Sequence, residues 1–309
     1  MLAFAVRRLL QSLPTVAAVA MVVFVLFSVI PGSIATSMSD DGRGAMDAEL
    51  VARMRKELGL DDPVYLRFGK YIAKLAVLDL GTSFLSREPV SRLLAKRLAP
   101  TAALVLGAMS IAILIGVPLG FVSAMRPGSM IDASSMLTAV SGISIPSFWF
   151  GLLLMYLFAL KLGWLPTFGY GNGWYLVLPA VTLGVAPLAL LARTTRAAVL
   201  DVVNADFVRT ARSKGMSETR VLRWHVVRNV AVIVLTTLGL QFGALMGQAV
   251  VVEKLFSWPG IGSLLVDSVF QRDIPAVQGC ILVIVLFFLV VNTLVDIGCA
   301  AIDPRIKYS

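Results

Sequence analysis

Charge is scarce in this sequence. Of its 309 residues, 15% are charged and 58% hydrophobic, against about 25% and about 45–50% in an ordinary soluble domain. That excludes a water-soluble globule, and it equally excludes a disordered chain, which carries the opposite bias. Histidine is nearly missing. His225 is the only one, so no site that needs two is available and the H-E-x-x-H pattern is absent. Cysteine is limited to Cys280 and Cys299, both in one apolar stretch, with no metal-ligand spacing and no disulfide framework. The phosphate-binding pattern G-x-x-x-x-G-K-S/T is also lacking; the only Gly-Lys pair, Gly69-Lys70, is followed by Tyr71. The chain is therefore not expected to bind and hydrolyse a nucleotide by itself.

What is there is apolar length. A bilayer core needs about 20 mostly apolar residues per helix. Six stretches qualify, near Leu9–Ile30, Ala102–Ala124, Ser134–Leu160, Trp174–Ala192, Val230–Val252 and Gly279–Ala301. The third holds Pro146, and the fourth, the shortest, holds Pro179 and Pro187. Proline is tolerated in membrane helices whose neighbours satisfy the freed carbonyls, so packed and kinked helices are expected. The first stretch follows Arg7-Arg8 as a signal peptide would. Its length exceeds the usual apolar region of such a peptide, and it is read as a retained span. The fold class expected is all-α, a polytopic membrane protein with six transmembrane helices.

Net charge is +9, and its placement sets orientation. With the N-terminus cytoplasmic, the inner segments carry thirteen Lys and Arg and the short outer loops only Lys161, Lys254 and Arg272. The long loop 31–101 adds eleven bases on the outside, but loops beyond about 60 residues largely escape the positive-inside rule. Both termini are thus expected in the cytoplasm. The organisation reads as residues 1–30 (N-terminal segment and first span), 31–101 (extracytoplasmic helical loop), 102–302 (core of spans two to six) and 303–309 (tail).

The outer loop has its own helices. "DAELVARMRKELG" reads as one, with Asp47 as cap and Gly59 after its last turn. "DDPVYLRFGKYIAKLAVLDLG" reads as a second, with Asp62 as cap, Pro63 at the first helical position and an end near Gly81. A lid over the helix ends and a docking platform for an extracytoplasmic partner both fit.

The long inner loop, residues 193–229, holds eight bases and three acids. Asp201–Lys214 reads as a helix ended by Gly215, after which Ser217 can cap a second helix with Glu218 in its first turn. A merely basic loop needs scattered Lys and Arg. Helix–glycine–helix instead makes a stiff lever running into the fifth span.

"DFVRTARSKGMSETRVLRWHVVRN" (Asp206–Asn229) closely resembles the cytoplasmic "EAA" loop of ABC importer permeases, and more narrowly the B-type permease of dipeptide and oligopeptide importers. The likeness extends over essentially the whole chain. "RRLLQSLPTVAAV", "VIPG", "ELGLDDPVYLRFGKYI", "LDLGTSF", "RLAPTAAL", "SGISIPSFWFGLLL", "LGWLPTFGYG", "LPAVTLG", "VVEKLFSWPGIGSLLVDSV", "RDIPAVQG" and "DPRI" occur in the same order. "GLQFG" and "VVEKLFSWPG" are especially similar to the glutathione-importer branch. Arg209, Thr210 and Ala211 stand where the general consensus has Glu-Ala-Ala, and the later Ile-x-Leu-Pro element is not evident, with His225, Val227 and Arg228 at its spacing.

The resemblance implies the type I ABC importer permease fold. It also implies a second homologous permease, two ATP-binding subunits that hold ATP and Mg, a periplasmic binding protein that delivers a peptide or glutathione, and the bacterial inner membrane. No cofactor is expected in this chain, no metal, no catalytic residue and no nucleic acid. The coupling residues it implies are Asp206, Phe207, Arg209, Thr210, Ala211, Arg212, Lys214, Gly215, Met216 and Ser217. Arg209, Arg212 and Lys214 would meet acids on the ATPase, and Phe207 and Met216 would supply apolar anchors.

Polar residues inside the spans are candidates for the translocation path. Ser144, Gln241 and Gln248 lead, with Ser141, Ser147, Asn292 and Asp296 beside them. Gln241 and Gln248, seven apart, share a helix face. Interhelical hydrogen bonding is the competing role. An ion-driven carrier is the alternative function, but it would keep ionisable groups near the membrane midplane and often shows internal repeats. A membrane enzyme would show a cluster of His, Cys or acids at a span end.

Overall fold

The computed structural model describes residues 2–29 and 62–302. The outer-loop helix expected over residues 47–59 lies outside them. Among the described residues the chain is helical, with no strand and one isolated antiparallel bridge between Thr82 and Pro89. The helices are α1 (Leu2–Val29), α2 (Val64–Ala76), α3 (Val90–Met125), α4 (Met130–Ser144), α5 (Ser147–Lys161), α6 (Trp174–Val203), α7 (Asp206–Ser213), α8 (Glu218–Leu255), α9 (Ile261–Phe270) and α10 (Ile274–Ile302). Five of these, α1, α3, α6, α8 and α10, are long and apolar enough to cross a membrane. The third expected span is divided. Pro146 holds Ile145 at φ −86° and ψ 126°, because the proline ring bars the residue before it from helical geometry. The span is therefore made of α4 and α5 in tandem.

The chain packs as two compact units. One takes in residues 97–263 and the chain from 287 onward. In this unit α6 is the central element, and thirteen of its residues are buried. Lipid tails are as apolar as leucine, so association rests on close backbone approach through small residues. Gly116 and Gly120 of α3, four apart, supply it. A methyl group on Gly116 would stand 2.7 Å from the Leu188 carbonyl oxygen, and one on Gly120 would stand 2.8 Å from Cβ of Thr195. Gly184 of α6 answers in kind, 2.9 Å from the Ala108 carbonyl. On the other flank, Gly239 and Gly243 of α8 admit Val295 and Phe288 of α10, and Phe242 packs on Phe287 at 5.6 Å. The ladder widens into π turns at Ala112–Gly116, Met155–Lys161 and Leu222–Val226.

The second unit takes in residues 10–96 and 264–286. Phe24 of α1 packs on Phe68 and Tyr71 of α2, with centroids 5.2 and 5.7 Å apart. Burial without a hydrogen-bond partner pushes the Tyr71 hydroxyl up to about 12. Asp273 accepts from Ser83 Oγ at 2.5 Å and from the Phe84 N–H at 3.2 Å. Two details depart from the sequence reading of α2. Pro63, not Asp62, holds the N-cap position, at φ −54° and ψ 143°, and Asp62 pairs with Lys70 at 2.5 Å. The helix ends at Ala76, ahead of Gly81, whose φ is +78°.

Candidate functional site: the lever loop and the two ends of the bundle

The 193–229 segment is built differently from the single helix expected over residues 201–214. Helix α6 continues to Val203, the chain turns at Asn204 and Ala205, and α7 restarts at Asp206. Asn204 Nδ2 donates to the Leu200 carbonyl at 2.9 Å, closing α6. Ala205 is extended at φ −69° and ψ 148°. Asp206 sits in the first turn of α7, where a negative charge favours the helix dipole. Val208 and Ala211 of α7 are buried against Val221, with Val202 and Met216 packed beside them. This small core, which the sequence reading overlooked, makes the break necessary. A straight helix through residues 201–214 would carry Val208 and Ala211 away from Val221.

Gly215 ends the lever's first arm at φ +78°. Its N–H reaches the Arg212 carbonyl at 2.9 Å, and the Met216 N–H reaches that of Ala211 at 3.3 Å. Ser217 stands at the N-cap of the next helix, but its hydroxyl makes no capping bond and lies 3.5 Å from that of Thr219. The closure comes instead from Arg212, whose Nε and Nη2 donate to Glu218 at 2.7 and 3.2 Å. Arg212 is thus ion-paired within the chain, with part of its side chain still exposed. Arg209 lies 3.9 Å from Asp206. Ala211 is buried, Met216 half-buried, and Asp206, Phe207, Arg209, Thr210, Lys214 and Ser217 are exposed. Phe207 packs toward His225 at 6.2 Å and still shows 46% of its surface. Phe207 is thus an exposed aromatic ring standing beside the small core of Val208, Ala211 and Val221.

Close to this loop, Asp132 ties α4 to α6. It lies two residues ahead of the apolar run that starts at Ser134. Arg196 Nε and Nη2 donate to its two oxygens at 2.5 and 2.7 Å. Ser123 Oγ adds 2.5 Å and the Gly128 N–H 2.9 Å. The Arg196 hydrogen bonds first, then those of Ser123 and Gly128, hold this carboxyl well below the usual carboxylate range.

At the other end of α8, Glu253 is fully buried. It accepts from Thr101 Oγ1 at 2.7 Å and from the Ser263 N–H at 2.8 Å. Thr101 Oγ1 in turn accepts from the Ile261 N–H at 2.8 Å. Trp258 Nε1 donates to the Pro100 carbonyl at 2.9 Å, on the continuous helix α3. Gly260 and Gly262 leave the carboxylate its space. Tyr170 packs edge-on against Trp258 at 4.8 Å, and the Gly169 N–H bonds the Phe256 carbonyl at 2.9 Å. The signal in the sequence was an acid at the end of an apolar run, followed by two glycines.

Of the path candidates, Gln241 and Gln248 are half-buried on α8, and Ser144 and Ser141 are exposed near the α4–α5 break. Ser147 is half-buried at the start of α5. Asn292 lies against Gly239, and neither Asp296 nor Ser144 is without a partner.

Residues 116–308 match the family described as binding-protein-dependent transport system inner membrane component, and residues 1–105 match its N-terminal part. The chain belongs to this family. The glutathione transport system permease protein GsiC of Salmonella paratyphi A is 43% identical over 308 residues, 100% of both chains. Its Escherichia coli counterpart is also 43% identical over the same extent. Among solved structures, the MetNI methionine ABC transporter in an inward-facing conformation superposes with a TM-score of 0.57 at 16% identity, over 68% of this chain and 96% of that one. An amino acid ABC transporter with histidines gives 0.51 at 20% identity, over 70% and 95%. The fold is that of ABC importer permeases, as the resemblance implied. This permease is a multi-pass inner-membrane subunit of an ATP-driven importer.

Proposed function

We propose that this permease takes up di- or oligopeptides or glutathione, delivered by a periplasmic binding protein, as the B-type partner of a second, homologous permease. Two ATP-binding subunits, which bind ATP and Mg, sit beneath the pair. Full-length identity of 43% to glutathione permeases carries the substrate class. The exposed face of α7 around Phe207 supports the coupling role. Helix α7 would rest in a groove of one ATPase subunit, with Phe207 as anchor and Arg209 and Lys214 meeting acids. Closure of the ATPase pair would move the lever as a rigid body and switch the bundle between two arrangements. Both termini and the 193–229 loop then face the cytoplasm, and the 31–101 loop faces the binding protein. Ser144, Gln241 and Gln248 line the path.

The test is reconstitution of the full assembly in vesicles with the neighbouring genes' products. Uptake of labelled glutathione or a dipeptide should require ATP inside and the binding protein outside. Uptake that follows an ion gradient and ignores ATP would establish the carrier reading instead.

A further inference from the structure

A threonine inside a helix can turn its hydroxyl back to the carbonyl four residues earlier, and in an apolar layer that bond keeps the hydroxyl matched. Thr138, Thr182, Thr194, Thr236, Thr237 and Thr293 all do so. Thr195 of α6 does not. It is fully buried, and its Oγ1 has no hydrogen-bond partner, although the Leu191 carbonyl stands at the same spacing on its own helix. A buried hydroxyl left unmatched carries its full desolvation cost, so something must hold it in that position.

What holds it is the crossing of α3. The buried side of α3 runs through Ala108, Ala112, Gly116, Gly120 and Ala124, four apart throughout, and small residues let two backbones approach closely. Among the glycines of this crossing the approach is tightest at Gly120. A methyl group there would stand 2.3 Å from the Ala192 carbonyl oxygen and 2.8 Å from Thr195 Cβ. Beside this point Ser123 of α3 and Arg196 of α6 both donate to Asp132, a carboxylate clamp that draws the two helices together. Four and seven residues beyond Thr195, on the same face of α6, Val199 is fully buried and Val202 packs on the lever core of Val208, Ala211 and Val221. Movement of that core therefore bears on the helix face that carries Thr195.

We propose that the crossing of α3 on α6 at Gly120 and Thr195 is a contact with two positions. In the closed position, which this structure holds, the Asp132 clamp keeps α3 against Thr195 and leaves its hydroxyl unmatched. When the lever draws on Val202 and the crossing loosens, the hydroxyl turns to the Leu191 carbonyl, as that of Thr182 turns to Leu178. The bond gained offsets part of the cost of parting the helices. Thr195 is thus a positioning residue that sets the balance between two arrangements of the bundle. The opening step rests on the reading of residues 193–229 as the coupling loop; the unmatched hydroxyl does not.

Thr195→Val removes the hydroxyl and keeps the branched shape, and Thr195→Ser keeps the hydroxyl. Each full-length chain is melted in detergent. The assembled importer, with its companion permease, ATPase subunits and binding protein, is also spin-labelled at M125C and A197C, exposed positions on α3 and α6, and the label distance is measured by pulsed electron resonance with and without a non-hydrolysable ATP analogue. Thr195→Val should melt at or above the wild-type temperature, because no bond is lost. The wild type should show one distance at rest and a second, longer one with the nucleotide. Thr195→Val should cut the share of the second distance, and uptake with it, by roughly threefold or more, while Thr195→Ser stays near wild type. A lower melting temperature in Thr195→Val would show that the hydroxyl is matched in the closed position and overturns the proposal. So does an undiminished second distance in Thr195→Val, an equal loss in Thr195→Ser, or a single distance in the wild type throughout. The ATP requirement of wild-type uptake is scored separately; its absence would remove the coupling reading, whereas the melts and the distances judge the crossing itself.

Discussion

Arg212 and Glu218, six residues apart, clasp each other across Gly215 through two parallel hydrogen bonds. The pair is largely exposed, and an exposed ion pair adds only about 0–1 kcal/mol to stability. Its value is angular, since a two-point bond fixes the first arm of the lever relative to the second. R212E and E218R should therefore each leave the protein folded and the complex assembled, but lower substrate moved per ATP several-fold. The double variant, with charges exchanged, should recover most of that ratio. Paired measurements of ATP hydrolysis and uptake in vesicles check this. Full coupling in both single variants would rule out the clasp.

Gly215 tests the same lever through the backbone. No atom lies within 4 Å of a side chain added there, and its φ is +78°, so any penalty is conformational. A residue other than glycine in this region costs about 1–2 kcal/mol, and a β-branched one sits at the worse end. Gly215→Val should uncouple hydrolysis from uptake while membrane insertion is retained. Gly215→Asn, which tolerates the left-handed region, should stay near wild type. Wild-type uptake by the valine variant would remove the lever from the mechanism.

Asp132 gives a pH dependence with a definite sign. Its carboxyl titrates below the ordinary carboxylate range in the folded protein and near about 3.9 when unfolded. Unfolded chains thus take up this proton first, and the stabilisation is fully present above about pH 5 and lost as pH falls through and below about 4. The melting temperature of the wild type should exceed that of Asp132→Asn by a constant margin from pH 7 to 5. The margin should then shrink on acidification. A margin that does not change with pH would show that the contact is steric.

Glu253 and Thr101 make a prediction about the opposite end. Glu253→Gln would face its own N–H groups toward the N–H of Ser263 or the hydroxyl of Thr101. Leaving buried donors unmatched costs about 1–3 kcal/mol. Thr101→Val should cost a similar amount, because it removes the donor to one carboxylate oxygen and strands the Ile261 N–H. The double variant should cost less than the sum of the two. Thermal melts of the three proteins in detergent give the coupling directly, and simple additivity would show that the two residues act independently.

The parts legible in the sequence are those set by local rules. Six apolar stretches, the extended residue before Pro146 and the positive φ at Gly215 follow from span length, ring sterics and the missing Cβ. The parts not legible depend on distant partners. Residues 201–214 are helix-compatible throughout, and the turn at Asn204 and Ala205 exists because Val208 and Ala211 must reach Val221. The Arg212–Glu218 pair was not legible because Glu218 comes within reach only after Gly215 reverses the chain. Asp62 looked like a cap because nothing local shows Pro63 taking that position while Lys70 takes the carboxylate. Glu253 was just one letter in a motif until Thr101, 152 positions away, supplied its donor.

The widened turn at Leu222–Val226 has a mechanical corollary. It carries one residue more than an ordinary turn of the same height, and a helix that sheds such a residue swivels everything beyond it by about 100°. Tightening that turn would swing the exposed Phe207 and its small core like a crank while the apolar shaft of α8 stays still.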